Sequence, residues 1–231
     1  MILDGIREGF SLLFSLDPEV WGPIRVSLTV ALTSTVIAAA FGLPFGLLVG
    51  LGKFRGRRAV VTVLNTLMAL PTVLVGLVLY AFISRRGPIG SLDLLYSPTA
   101  MVIGQVILAF PIIAAFCAAA VERADPRIQQ TVFGLGAGRL RAALVVAAEN
   151  RAALAAAVAA GFGRVFAEVG ISMMVGGNIR GYTRNITTGI AFETGKGEFA
   201  LGVALGVVLL VVALAVNLAV GIWQYLGKDQ T

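Results

Sequence analysis

Residues 98–121 read PTAMVIGQVILAFPIIAAFCAAAV, and no charged side chain interrupts them. A hydrocarbon core of about 30 Å is crossed by about 20 helical residues, so this stretch is long enough and apolar enough to span a bilayer. Four further stretches share its character, at 24–51, 59–83, 152–175 and 199–226. In lipid every backbone N–H and C=O needs an internal partner, and no alternating ten-residue strand pattern is present, so the expected fold is an all-α membrane protein of about five transmembrane helices.

Composition agrees with that reading. Hydrophobic residues make up 58% of the 231 and charged residues only 13%, with a mean hydropathy of +0.93. A soluble domain carries about 25% charged residues, and a chain this poor in charge could not cover its surface in water. The net charge of +6 would raise nucleic-acid binding in a soluble protein, but here the basic residues sit in short connections between apolar runs. They are read as topology signals. With no histidine and the single cysteine Cys117 inside an apolar run, the chain lacks the usual haem and zinc ligands and cannot build a disulfide framework. No metal site and no redox role are expected, and a membrane-embedded enzyme is the poorest functional class.

Ahead of the first span, Ile2, Leu3, Ile6, Phe10, Leu13 and Phe14 recur at helical spacing, which predicts an interfacial helix within 1–23, followed by one membrane domain over 24–231. Lys53, Arg55, Arg57 and Arg58 crowd the first connection without an acid, and Arg123, Arg127, Arg139, Arg141 and Arg151 lie in the third. Positive connections stay inside, which places those two and Lys228 in the cytoplasm. The N-terminus and the second and fourth connections then face outward.

The third connection, about 122–151, is too polar to span and too patterned to be a slack loop. Asp125-Pro126 marks a helix start, Ile128, Val132 and Leu135 share a face, glycines follow at 134, 136 and 138, and Leu140, Leu144 and Ala147 resume the period. Two short helices around a glycine turn are expected. The run from Gln130 to Arg141, QTVFGLGAGRLR, resembles the cytoplasmic coupling loop of ABC importer permeases, whose pattern is Glu-Ala-Ala, three residues, then Gly. Gly136 fits the glycine, while Gln130, Thr131 and Val132 stand where the family has Glu-Ala-Ala. Collinear with it, Ala69 to Gly76, Arg85 to Gly90, Phe110-Pro111, Arg164 with Glu168-Val169-Gly170, and above all Met173 to Arg184, MMVGGNIRGYTR, resemble the molybdate and tungstate branch, and the last segment the tungstate permeases in particular.

That resemblance implies a type I importer permease, a homodimer working by alternating access at the cytoplasmic membrane. Its partners would be a dimeric cytoplasmic ATPase that binds ATP and Mg, and an extracytoplasmic binding protein that delivers tungstate or molybdate. This chain itself would hold no cofactor. Gln130, Thr131, Gly136, Ala137 and Arg139 become the expected ATPase-coupling residues, with Gly136 allowing the tight turn. Nothing in the chain replaces the ATPase: a phosphate-binding loop needs Gly, four residues, then Gly-Lys-Ser/Thr, and Gly195-Lys196 has Ile190 and Gly197 at the flanking positions.

Candidates for the translocation path or gate come from residues whose type is unusual in a membrane. Pro71 and Pro111 lie inside apolar runs, where each removes a backbone donor and either shapes a cavity or hinge or merely packs. Arg164 and Glu168 are spaced i, i+4 deep in the fourth span, where ionisable groups are costly unless paired or facing a wet cavity; an ion pair facing the bundle interior is favoured over direct substrate contact. The outer connection 176–198 is rich in glycine, threonine and asparagine. Asn178, Thr183 and Arg184 there suit a tetrahedral oxyanion, although a flexible polar loop touching a binding protein explains the same composition. An ATP-independent secondary transporter is the alternative class, lacking its usual pointer of matching broken helices in two halves.

Overall fold

The computed structural model describes residues 11, 14, 15, 17–136 and 138–228. Among them are ten α-helices and no strand. We number them α1 (Pro18–Leu51), α2 (Arg57–Met68), α3 (Thr72–Ile83), α4 (Pro98–Glu122), α5 (Pro126–Gly134), α6 (Arg139–Glu149), α7 (Arg151–Phe166), α8 (Gly170–Gly176), α9 (Ile186–Lys196) and α10 (Phe199–Lys228).

The first long helix starts at Pro18, ahead of the boundary at 23/24. The Asp17 side chain accepts a hydrogen bond from the Glu19 N–H at 2.7 Å and Pro18 takes the first helical position, a strong start signal that the hydrophobic profile alone does not register. Most of the expected interfacial helix, 1–10, 12, 13 and 16, lies outside the described residues. At 34 residues, α1 extends about 51 Å, well beyond one bilayer core.

The expected spans at 24–51, 98–121 and 199–226 each correspond to one uninterrupted helix. The other two are broken. Residues 59–83 form α2 and α3, which meet at 94° across 69–71. Residues 152–175 form α7 and α8 with a break at 167–169, and α6 joins α7 at 81° across Asn150. Three helices are therefore long and apolar enough to cross a membrane alone, or five if each bent pair is one span. Pro71 explains the first break: it has no N–H to donate and caps α3 in extended conformation.

The core is the pair α1 and α4. Ser34 donates to Gln105 Oε1 at 3.1 Å, and the Cβ positions of Gly42, Gly46 and Gly50 would fall on Ile113, Cys117 and Val121. All four pairs share one sequence offset, the 71 residues of Ser34 and Gln105, so α1 and α4 run parallel and in register. Glycine at every fourth position lets the backbones approach closely, which matters because lipid provides no hydrophobic drive between helices. Against this pair pack α7, α8 and α3, with Met101, Ile113, Ile171 and Ile186 fully buried. The most apolar window of α4 is 61% buried and that of α10 only 17%, so α4 is the central helix and α10 a peripheral one.

Candidate functional site

Two polar regions stand out, one at each end of the bundle. At the end where α1 and α4 finish, Arg57 is the tie. Its Nε donates to the Val49 carbonyl at 2.8 Å and its Nη2 pairs with Glu122 at 3.0 Å, joining the last turns of both helices to the start of α2. The helical hairpin α5–α6 follows. Asp125 Oδ1 accepts from the Arg127 N–H at 2.8 Å and starts α5. The expected pair of short helices about a glycine turn is present, and Gly136 is its pivot, with φ of +77° and nothing within 4 Å of a built Cβ. That backbone conformation is open to glycine and costly for other residues.

The hairpin holds to the bundle by one face only. Ala142 and Val146 of α6 are buried, Val146 in a cluster with Cys117, Val121 and Leu154 that also packs Ile128. The opposite face is apolar and bare: Leu135 is 82% exposed, and Leu140, Leu144 and Val145 are exposed beside it. Of the expected coupling residues, Gln130 and Thr131 are exposed on α5, Arg139 opens α6, and Ala137 lies outside the described residues.

In the half of the bundle away from the hairpin, Glu168 organises the break between α7 and α8. It is 2% exposed, and its Oε2 pairs with Arg164 Nη1 at 2.8 Å. Its Oε1 accepts from the Ile171 N–H at 3.1 Å, capping α8, and its carbonyl accepts from Thr187 Oγ1 at 2.7 Å. The Arg164–Glu168 pair expected from spacing is thus present, and Arg164, 38% exposed, is its more accessible member.

From Glu168 a buried chain of hydrogen bonds runs on. Thr187 donates to Asn185 Oδ1 at 3.0 Å, Asn185 Nδ2 donates to Ser172 Oγ at 3.0 Å, and the Ile186 N–H donates to Ser27 Oγ at 2.8 Å. Asn185 and Thr188 form a reciprocal capping box on α9. Segment 176–198, read as an outer connection, therefore holds a well-capped helix; Asn185-Ile-Thr-Thr is the start signal that composition concealed.

The oxyanion donors expected in that segment are largely committed to the protein. Thr183 is buried, donating to the Gly176 carbonyl and accepting from the Ile179 N–H. Arg184 pairs with Glu193 at 3.0 Å, Lys196 shares that carboxylate at 3.2 Å, and both cations lie over the Phe192 ring. Arg180 pairs with Glu19 of α1. Arg184 Nε and Asn178 Oδ1 are buried without a hydrogen-bond partner, and Asn178 has φ of +50°. Pro111 lines an apolar cavity of about 280 Å³ with Leu67, Leu70, Val75 and Phe110; Pro71 is not among its lining residues, although Leu70 and Val75 stand on either side of the break it makes. Within α4, Pro111 is accommodated in a continuous helix.

No protein-family model matches the chain. Over 202 residues it is 41% identical to the tungstate uptake system permease protein TupB of Peptoclostridium acidaminophilum, an alignment covering 87% of this chain and 89% of that protein. It is 40% identical over 202 residues to TupB of Campylobacter jejuni, covering 87% and 84%. The molybdenum transport system permease protein ModB of Escherichia coli K12 is more distant, 28% identical over 178 residues, covering 74% and 77%.

Proposed function

The chain belongs to the family of tungstate uptake system permeases, and from that membership we propose that it is the membrane-spanning permease of an ATP-driven importer whose cargo is tungstate. The observation that carries the reading is the α5–α6 hairpin. A helical pair pivoting on a positive-φ glycine and baring Leu135, Leu140 and Leu144 has the form of an element that seats in a partner's groove. Its anchored face, against Val121 and Leu154, would pass the partner's movement into α4 and α7. ATP and Mg belong to that partner, a cytoplasmic ATPase. The hairpin end, with Lys53, Arg55, Arg58 and Arg141, is then cytoplasmic by the positive-inside rule, and the end where α1 and α4 begin faces outward, where a binding protein delivers the anion.

In this scheme two copies pair about a two-fold axis, and the pathway runs between them. Alternating access needs elements with two arrangements, and the broken pairs α2–α3 and α7–α8 supply hinges beside the central helix. In this reading Arg164, partly exposed and paired with Glu168, would face the pathway. Molybdate is the second cargo to consider, being a tetrahedral dianion like tungstate, and the 28% identity to a molybdenum permease keeps it in the test.

The test is metal accumulation in cells with and without this chain, supplied with trace tungstate and molybdate together and read by elemental mass spectrometry. Selective loss of tungsten on deletion, restored by the wild-type chain, supports the proposal. Loss of molybdenum instead transfers the cargo to the sister branch, and loss of neither removes the oxyanion assignment.

A further inference from the structure

We propose that the cavity between the end of α3 and the start of α4 is a receiving site for the oxyanion, a vestibule entered before the membrane pathway. The inference rests on the importer reading and adds to it a place and a set of donors. The cavity measures about 680 Å³ and is lined by Tyr80, Ser84, Arg85, Arg86, Asp93 and Tyr96, over a floor formed by Ile83 and Leu95.

Its walls are held. The turn carrying both arginines is closed by hydrogen bonds from the Gly87 N–H to the Ser84 carbonyl at 2.7 Å and from the Ile89 N–H to the Phe82 carbonyl at 3.1 Å. Facing it, Tyr96 sits at φ of +63°, its N–H bonded to the Val175 carbonyl at 2.8 Å and its ring against Gly177. Across the cavity, the Tyr80 side chain holds the Tyr96 phenol above its ordinary value. The phenol therefore stays a neutral donor.

What marks the cavity is its unspent charge. Arg180 and Arg184 on the same end are matched to Glu19 and Glu193. Arg85 and Arg86 have no carboxylate within 4 Å among the described residues, although Asp93 shares the cavity. Two guanidinium groups with hydroxyls beside them are the donor set for a tetrahedral dianion. Asp93 opposes the anion and keeps the site weak, as a transfer station requires. At about 30 Å³ per water, the cavity has room for on the order of twenty waters. It takes the anion with its hydration shell, before any dehydration deeper in the pathway.

The experiment uses the full chain with its ATPase in lipid nanodiscs, without binding protein, at low ionic strength. Tungstate retained at equilibrium dialysis is read by elemental mass spectrometry. The wild type is expected to retain tungstate, the Arg85→Gln/Arg86→Gln variant to lose at least five-fold in affinity, and Arg85→Lys/Arg86→Lys to keep most of it. Arg25→Gln, an exposed arginine of the same end that does not line the cavity, should leave retention unchanged. Unchanged retention in the Gln pair, equal loss in Arg25→Gln, or no retention by the wild type overturns the proposal. In a separate pull-down with loaded binding protein, loss of docking by the Gln pair while its tungstate retention stays intact would make the arginines a protein contact and overturn the proposal. These outcomes are separate from the deletion experiment, whose failure would withdraw the importer reading itself.

Discussion

Gly46 of α1 lies directly against Cys117 of α4: a Cβ built on Gly46 would stand 2.6 Å from the Cys117 Cβ and 2.6 Å from the Ala114 carbonyl oxygen. No side-chain motion relieves a contact with backbone, so the two helices must separate to admit even a methyl group. Gly46→Ala is expected to cost about 1–3 kcal/mol as overpacking and to lower the midpoint of thermal unfolding in detergent. Gly163→Ala on α7 is the control. Nothing lies within 4 Å of a Cβ there, and gaining a methyl in a helix should be neutral or favourable by up to about 1 kcal/mol.

Glu168 has two distinct roles, pairing with Arg164 and capping the Ile171 N–H. Glu168→Gln keeps an acceptor for the cap and loses only the charge; Glu168→Ala loses both. The alanine variant should therefore be the less stable by roughly 1–2 kcal/mol, the net worth of a buried hydrogen bond. Swapping the charges, Arg164→Glu with Glu168→Arg, should not restore stability, because arginine cannot accept from Ile171. Recovery in the swapped protein would mean that the ion pair alone matters.

At Gly136 the expectation is loss of coupling with folding intact. Gly136→Val must adopt φ near +77° or reshape the hairpin, at a local cost of about 1–2 kcal/mol. Membrane insertion should be unchanged, while tungsten accumulation falls at least ten-fold and ATP hydrolysis no longer responds to loaded binding protein. Normal accumulation by this variant would remove the hairpin from the coupling mechanism.

Leu140→Asp and Leu144→Asp test the docking face directly. Both positions are exposed and leave the anchoring residues Ala142 and Val146 untouched. Each should abolish co-purification of the ATPase without shifting the thermal midpoint by more than a degree or two, since surface substitutions away from packed features stay within about 0.5 kcal/mol. Retained co-purification would place the ATPase contact elsewhere.

Asn185→Ala removes the α9 cap together with its bonds to Ser172 and Thr187. Caps alone contribute about 0.5–2 kcal/mol, and the orphaned Ser172 adds to the loss. Limited proteolysis within 177–198 should accelerate in this variant before any other part of the chain opens.

How much of this was legible in the sequence follows from the kind of signal each element leaves. Runs such as 98–121 are read without error because apolar length is a bulk property that tertiary context does not alter. The hairpin α5–α6 was legible because Asp125-Pro126 and Gly136 are local punctuation, and the Arg164–Glu168 pair because spacing on a helix dictates adjacency. Breaks within spans were harder. Pro71 warned of one, but the break at 167–169 is written in Glu168 folding back to cap Ile171, a contact that spacing alone does not distinguish from a continuous helix. Arg184 and Thr183 looked free because their partners, Glu193 and Gly176, are brought to them by the turn at 177–185. Arg85 and Arg86 stood out in the sequence as part of a familiar motif and as basic residues on the outer side, where they soften the charge asymmetry. In the proposal their significance depends on Tyr96, which lines the same cavity and which no local pattern connects to them.

The shared offset of α1 and α4 bears on how the protein is made. Ser34, Gly42, Gly46 and Gly50 of α1 wait for partners 71 positions later in the chain, and at a synthesis rate of about 5–20 residues per second that delay is roughly 4–14 s. During it, Ser34 and the glycine face of α1 have no α4 to meet, while α2 and α3 emerge, bend and turn back across the membrane. The first helix must therefore be retained at the insertion machinery or shielded by lipid until α4 arrives. The close glycine seam that makes the finished pair rigid is the same surface that makes its assembly slow and ordered in time.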